Sequence, residues 1–253
     1  MRRARVALLI ILVPLLLGQT KPRLVPDVSQ DDIKIVYSFT GAELLLFGAI
    51  LYPGGRIPTR PADIAVVLKG PVQAIVIREK QKVAGIWMNA EDARFRSAPS
   101  FYAVAASKPI PELVDERTAA IYELGLQNLQ LSPGTGAAPD VQRRFEAGLI
   151  DLRQRHQLYF EHPNGVEISE GVLYRARLNI PARVPVGNYS AETFLIQDGR
   201  ILAGAVREIR IEKSGFERFV ARAAERWSFT YGLAAVLVSL FLGWAASAIF
   251  RRG

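Results

Sequence analysis

The stretch Tyr231–Phe250, YGLAAVLVSLFLGWAASAIF, constrains this chain more than any other, because it carries no formal charge from end to end. At a rise of about 1.5 Å per residue, about 20 apolar residues make a helix that crosses the hydrocarbon core of a bilayer. Residues 231–250 are therefore predicted to be a transmembrane helix, and whatever precedes them has to fold on one side of a membrane. Arg251 and Arg252 follow at once, which predicts a short cytoplasmic tail at 251–253.

The N-terminus repeats the theme at smaller scale. Arg2, Arg3 and Arg5 lead into an apolar run from Val6 to Leu17, too short for a comfortable span but suited to a secretory signal. Residues 1–19 read as a signal peptide, cleaved near Gly18–Gln19 or retained as a signal anchor. Both ends then predict one topology in a bacterial inner membrane: basic N-terminus inside, ectodomain in the periplasm, short C-terminus in the cytoplasm. Lys213, Arg218, Arg222 and Arg226 lie on the outer side in this scheme, but the signal acts first in synthesis and sets the orientation.

Charge and cysteine content narrow the function classes. Of the net charge of +8, Arg2, Arg3, Arg5, Arg251 and Arg252 supply five, leaving +3 for the rest. No basic stripe with interleaved aromatics stands out, so nucleic acid is not an expected partner. The chain has no cysteine, which excludes disulfides and thiol chemistry.

Between the two ends the pattern is mainly β. Period-two alternation from Ile33 to Phe39 predicts a strand, and the continuous apolar run Glu43–Leu51 a central strand buried on both faces. Further strands are expected at Ile64–Lys69, Val72–Arg78, Val83–Asn89 and Ser100–Ser107, with Glu79–Lys82 as a turn and Ala90–Ala98 as a loop. The period changes at Lys108. Pro111 opens a predicted helix reaching about Leu131, and Asp140 caps a second carrying Val141, Phe145, Leu149 and Leu152 on one side. Strands resume at Leu158–Glu161 and Val172–Ile180, and Tyr189–Gln197 pairs with Arg200–Ile211 across an Asp198–Gly199 turn. The expected fold is an exported Ig-like β-sandwich with a two-helix insertion. Its parts are 27–107 and 158–213 as β-rich segments, with the helical insertion at 108–157. An amphipathic helix at 215–229 is expected to lie at the outer membrane interface before the span, with Phe216, Phe219, Trp227 and Tyr231 at headgroup level.

Three phrases, VVLKGP at Val66–Pro71, VAGIWMN at Val83–Asn89 and PSFYAVAASKPI at Pro99–Ile110, together with the tail anchor, resemble the alphaproteobacterial putative transmembrane protein family. The resemblance covers nearly the whole chain. It implies an exported, single-pass membrane protein without an assigned activity, and it carries over no catalytic residue.

The candidate chemistry is thin. His156 and His162 are the only histidines, too few for a metal site unless Glu161 or another carboxylate joins them. GxSxG is absent, so a Ser-His-acid hydrolase would need one of these histidines to meet a serine elsewhere in the chain. No cofactor and no metal are expected. Arg78, Lys80 and Lys82 cluster near a hairpin tip, where they either keep strand edges apart or touch an anionic headgroup or partner. Trp87, Met88, Asn89, Phe101 and Tyr102 form a candidate partner-binding surface, read against the alternative that the aromatics are core. The expected function is a non-enzymatic, membrane-anchored periplasmic binding or accessory protein of an inner-membrane assembly, with membrane lipid and another inner-membrane protein as partners. One alternative is a ligand- or anion-sensing subunit of a TauE-type exporter, with a concave polar site near Asn89. Another is a hydrolase or metal enzyme using His156 and His162.

Overall fold

The computed structural model describes residues 21–35, 41–134, 138–213 and 224–250. The signal segment, Phe216, Phe219, most of the expected interfacial helix and the tail at 251–253 lie outside the described residues. The chain divides into a β-rich body and a separate unit that contains the last helix.

Thirteen strands lie among the described residues. They are β1 (Arg23–Val28), β2 (Asp32–Ile35), β3 (Ala42–Leu51), β4 (Asp63–Lys69), β5 (Val72–Val83), β6 (Ile86–Pro99), β7 (Tyr102–Ala106), β8 (Ser132–Pro133), β9 (Tyr159–His162), β10 (Val166–Ser169), β11 (Leu173–Ile180), β12 (Gly187–Gln197) and β13 (Arg200–Lys213). Among the described residues three α-helices interrupt them: α1 (Ile110–Leu113), α2 (Glu116–Ile121) and α3 (Pro139–Arg155). One sheet has the order β1-β3-β11-β10, a second β2-β13-β12-β4-β7-β9, and a third β5-β6-β8. The first two face each other, β1 against β12, β10 against β4 and β11 against β7.

Alternation explains the layering. Leu44, Leu46 and Ile50 of β3 and Tyr174, Ala176, Leu178 and Ile180 of β11 are buried, and the residues between them point outward. On the other side β4 buries Ile64–Leu68 on both faces, as a strand in the middle of a covered sheet must. Gly48 lets β3 approach its neighbours: a Cβ there would stand 2.6 Å from the Tyr174 hydroxyl, on the directly paired residue of β11. The Asp198–Gly199 turn forms as expected, both residues having positive φ.

Several expectations need correction. The run Glu43–Leu51 is central in its sheet but buried on one face only, with Phe47 and Leu51 exposed. Continuous apolarity here supplies an outer apolar face, not a second core. The expected turn at Glu79–Lys82 and loop at Ala90–Ala98 are strand. The turn is Ala84–Gly85, where φ is 50° and 88°, and β5 and β6 run as one long hairpin with a bulge opposite Glu79–Lys80. Both central residues of such a turn need positive φ, which the long side chains of Glu79–Lys82 do not readily adopt. The helix expected from Pro111 to about Leu131 breaks into α1, α2 and a 3₁₀ turn at Leu126–Asn128, because Asp115 caps α2 and Glu123 and Gly125 have positive φ. Asp140 does not cap α3. Ala138 holds that position with Pro139 in the first turn. β9 pairs in parallel with β7, so the body is not purely antiparallel.

The second unit contains α4 (Ser228–Phe250), 23 residues long. Phe229, Leu233, Val236, Leu240, Phe241 and Trp244 are all exposed, so its apolar surface has no single direction. Counting described side chains only, no helix is long and apolar enough to cross a membrane.

Candidate functional site

The β5–β6 hairpin begins as part of the body and ends outside it. Near its base, Phe95 and Ala98 pack with Phe145 and Leu149 of α3, and Ile75, Ile77, Ala93 and Val141 close around them. The amphipathic stripe of α3 thus covers one face of the hairpin. The cover ends at Ile77 and Ala93. Arg144, the residue before Phe145, forms ion pairs with Glu79 and Glu91, which lie opposite each other on the hairpin.

Beyond this point every residue from Lys82 to Asp92 is exposed. Cross-strand pairing sets the two faces. Lys82 is opposite Trp87 and Lys80 opposite Asn89, so the indole lies on the same face as two ammonium groups. Gln81 is opposite Met88 and Val83 opposite Ile86 on the reverse face. Four large apolar side chains are exposed within this tip: Val83 at 49 %, Ile86 at 72 %, Trp87 at 66 % and Met88 at 50 %. From Lys80 to Ala90 the sequence has two lysines and no carboxylate.

The five residues of the expected partner-binding surface are not brought together. Trp87, Met88 and Asn89 are at the tip, whereas Phe101 and Tyr102 are fully buried in the body. The Phe101 ring meets Phe160 edge-on at 5.6 Å between centroids and Tyr189 at 5.9 Å. The Tyr102 hydroxyl donates to the Glu123 carbonyl and accepts from the Gly125 N–H at 3.0 Å. Its burial pushes the phenol's pKa far above the normal tyrosine range. Asn89 sits on an exposed strand. Sequence reasoning missed Val83 and Ile86 as members of the tip, although Ala84–Gly85 between Val83 and the apolar run Ile86–Met88 was the available signal.

The histidines are also separate. His156 follows the last turn of α3 and His162 ends β9. His162 lines a cleft of about 550 Å³ with Glu43, Gln154, Gln157, Phe160 and Asn179, and His156 is not part of that lining. Glu161 is adjacent to His162 on a strand and so points to the opposite face, where its carboxylate accepts the Leu126 N–H. Among the described residues no three His, Cys, Asp or Glu side chains group as metal ligands.

Trp227 and Tyr231, expected at the membrane interface, are exposed at the start of the second unit's helix. The chain belongs to the alphaproteobacterial family described as putative transmembrane protein, whose pattern matches residues 23–252. No curated protein matches it.

Proposed function

We propose that this protein is a non-enzymatic, membrane-anchored accessory component of an inner-membrane assembly, with an exported Ig-like sandwich that makes contact through the β5–β6 tip. The observation that carries this reading is the tip itself. A hairpin extended past its covering helix, with Ile86 and Trp87 about two-thirds exposed or more, has no role in the core and the composition of a contact surface. Family membership supports the membrane setting. For the anchor, α4 at 23 residues measures about 35 Å, against a hydrocarbon core of about 30 Å. The basic N-terminus and Arg251–Arg252 support an outward-facing body.

Crosslinking and purification of the full chain from native membranes tests this. One defined inner-membrane component is expected to copurify with the wild type and to be lost with W87S/M88S. Recovery of the chain alone under all crosslinking conditions overturns the accessory role. The exporter-sensor alternative requires a polar hollow at Asn89, and the exposed strand there gives it less support. The hydrolase and metal alternatives require His156 and His162 to share a site with a serine or carboxylates, and the cleft includes only His162.

A further inference from the structure

We infer that the β5–β6 tip inserts into the headgroup layer of an anionic bilayer, so that the body is held to the lipid surface at a second point besides its anchor. The inference rests on the reading of the tip as the contact element and names what it touches first.

Three features of the tip together select lipid. Its apolar side chains occupy both faces, Trp87 on one and Val83, Ile86 and Met88 on the other. A protein groove normally meets one face of a hairpin, whereas a headgroup layer surrounds an inserted element on all sides. The aromatic is an indole flanked by Lys82 across the ladder and Lys80 next along the strand. Trp prefers the depth where hydrocarbon meets headgroup, and lysine stems reach from there to the phosphates. Finally, the charge is one-signed where it would meet those phosphates. Lys80 and Lys82 have no carboxylate among their tip neighbours. The nearest acids lie further back, Glu79 and Glu91 held by Arg144, and Asp92 opposite Arg78. A negative surface attracts such residues, each lysine near it favouring association about fivefold.

The part beyond the Arg144 ion pairs, from Lys80 to Ala90, contains four cross-strand levels, or about 13 Å at strand rise. That is enough to bring the tip to headgroup depth while the covered base stays in water.

The absence of native cysteine allows a single reporter. The full chain is reconstituted as M88C, labelled with an environment-sensitive NBD fluorophore, into vesicles of phosphatidylglycerol and phosphatidylethanolamine or of phosphatidylcholine alone. E167C, at an exposed position on β10, serves as the reference site. The expected result is a blue shift of M88C emission in the anionic vesicles, with quenching by lipids bearing a nitroxide at headgroup depth. E167C should show neither. Adding K80Q/K82Q should lower the inserted-to-free ratio by about fivefold per lysine, and 1 M salt should act in the same direction. Adding W87S should also withdraw the label, and an unchanged thermal midpoint would show that the body remains folded. Emission from M88C equal to that of E167C in both vesicle types overturns the inference. So does shielding that occurs in native membranes but not in lipid vesicles, because the occupant is then a protein and the accessory reading survives alone. Insertion into vesicles without any copurifying component gives the converse: the lipid contact holds and the accessory role fails.

Discussion

Trp87–Met88 and Phe101–Tyr102 are two aromatic-containing dipeptides on consecutive strands, and they meet opposite fates. Phe101 and Tyr102 have no exposed surface, while Trp87 is 66 % exposed. Neither composition nor local alternation separates them. The difference lies in what covers each strand. β7 is paired on both edges and lies within two facing sheets, so every side chain from Tyr102 to Ala106 is enclosed. β5 and β6 form a third sheet with only the two-residue β8 beside them, covered by a helix whose apolar contact ends near Ile77 and Ala93. A strand inside a sandwich is closed by its neighbours, whereas a hairpin longer than its covering helix must end in some other medium.

The strongest way to break this contrast is to truncate both members. Phe101→Ala removes a ring packed between Phe160 and Tyr189, and the cavity is expected to cost about 3–5 kcal/mol. Chemical unfolding of the full chain in detergent would measure it. A loss below about 1 kcal/mol, typical of surface positions, would mean that the body is not closed around β7.

The body is further distinguished by its tyrosines. Tyr159 donates to the Pro99 carbonyl at 2.5 Å and Tyr189 to the Pro185 carbonyl at 2.6 Å. Burial pushes each phenol up to about 12. The unfolded chain releases these protons near pH 10 and the folded chain near 12. Between those values the folded state holds more protons, so the contribution of these phenols to stability is constant below about pH 10 and falls as pH rises through the window. The expected slope is about 1.4 kcal/mol per pH unit for each buried phenol. Absorbance of phenolate near 295 nm should rise together with loss of the fold. Independent titration of all tyrosines near pH 10 with the fold intact would contradict the sealed body.

The sequence made much of this body legible and almost none of the hairpin's extent. Alternation at Leu173–Ile180 and the Asp198–Gly199 turn correctly placed β11 and the β12–β13 hairpin, because each has one buried face and a turn with its usual residues. The β5–β6 turn uses Ala84 in the left-handed region, a position usually filled by Asn, Asp or Gly, so the turn was expected four residues too early. The covering helix was legible from Phe145 and Leu149. Where its cover stops was not, since that depends on the lengths of two separate elements and on no local pattern.

A smaller effect is expected at the boundary between covered and free hairpin. Arg144 pairs with Glu79 and Glu91, but all three side chains are substantially exposed, and such pairs contribute little in water. Arg144→Gln should lower global stability by about 0.5 kcal/mol or less. Its effect should instead be local, with faster amide hydrogen exchange from Glu79 to Glu91 and no change in the body. A global shift comparable to that of Phe101→Ala would mean the hairpin folds as one unit with the sandwich.

The smallest effect expected is the one that most sharpens the contrast. Trp87→Ser deletes the largest side chain of the tip, and in a core position that change would cost several kcal/mol. At the tip, two-thirds of Trp87 is already in contact with solvent, and its cross-strand partner is Lys82, whose stem offers little apolar area. Unfolding in detergent should therefore change by about 0.5 kcal/mol or less in either direction. The substitution cannot be neutral for both folding and contact if the tip has the role argued for it. A retained midpoint together with lost membrane shielding would separate two uses of one residue type: Phe101 holds the body together, and Trp87 gives it something to hold. A large loss of stability from Trp87→Ser would instead return the indole to the core and remove the reason for assigning the tip any contact at all.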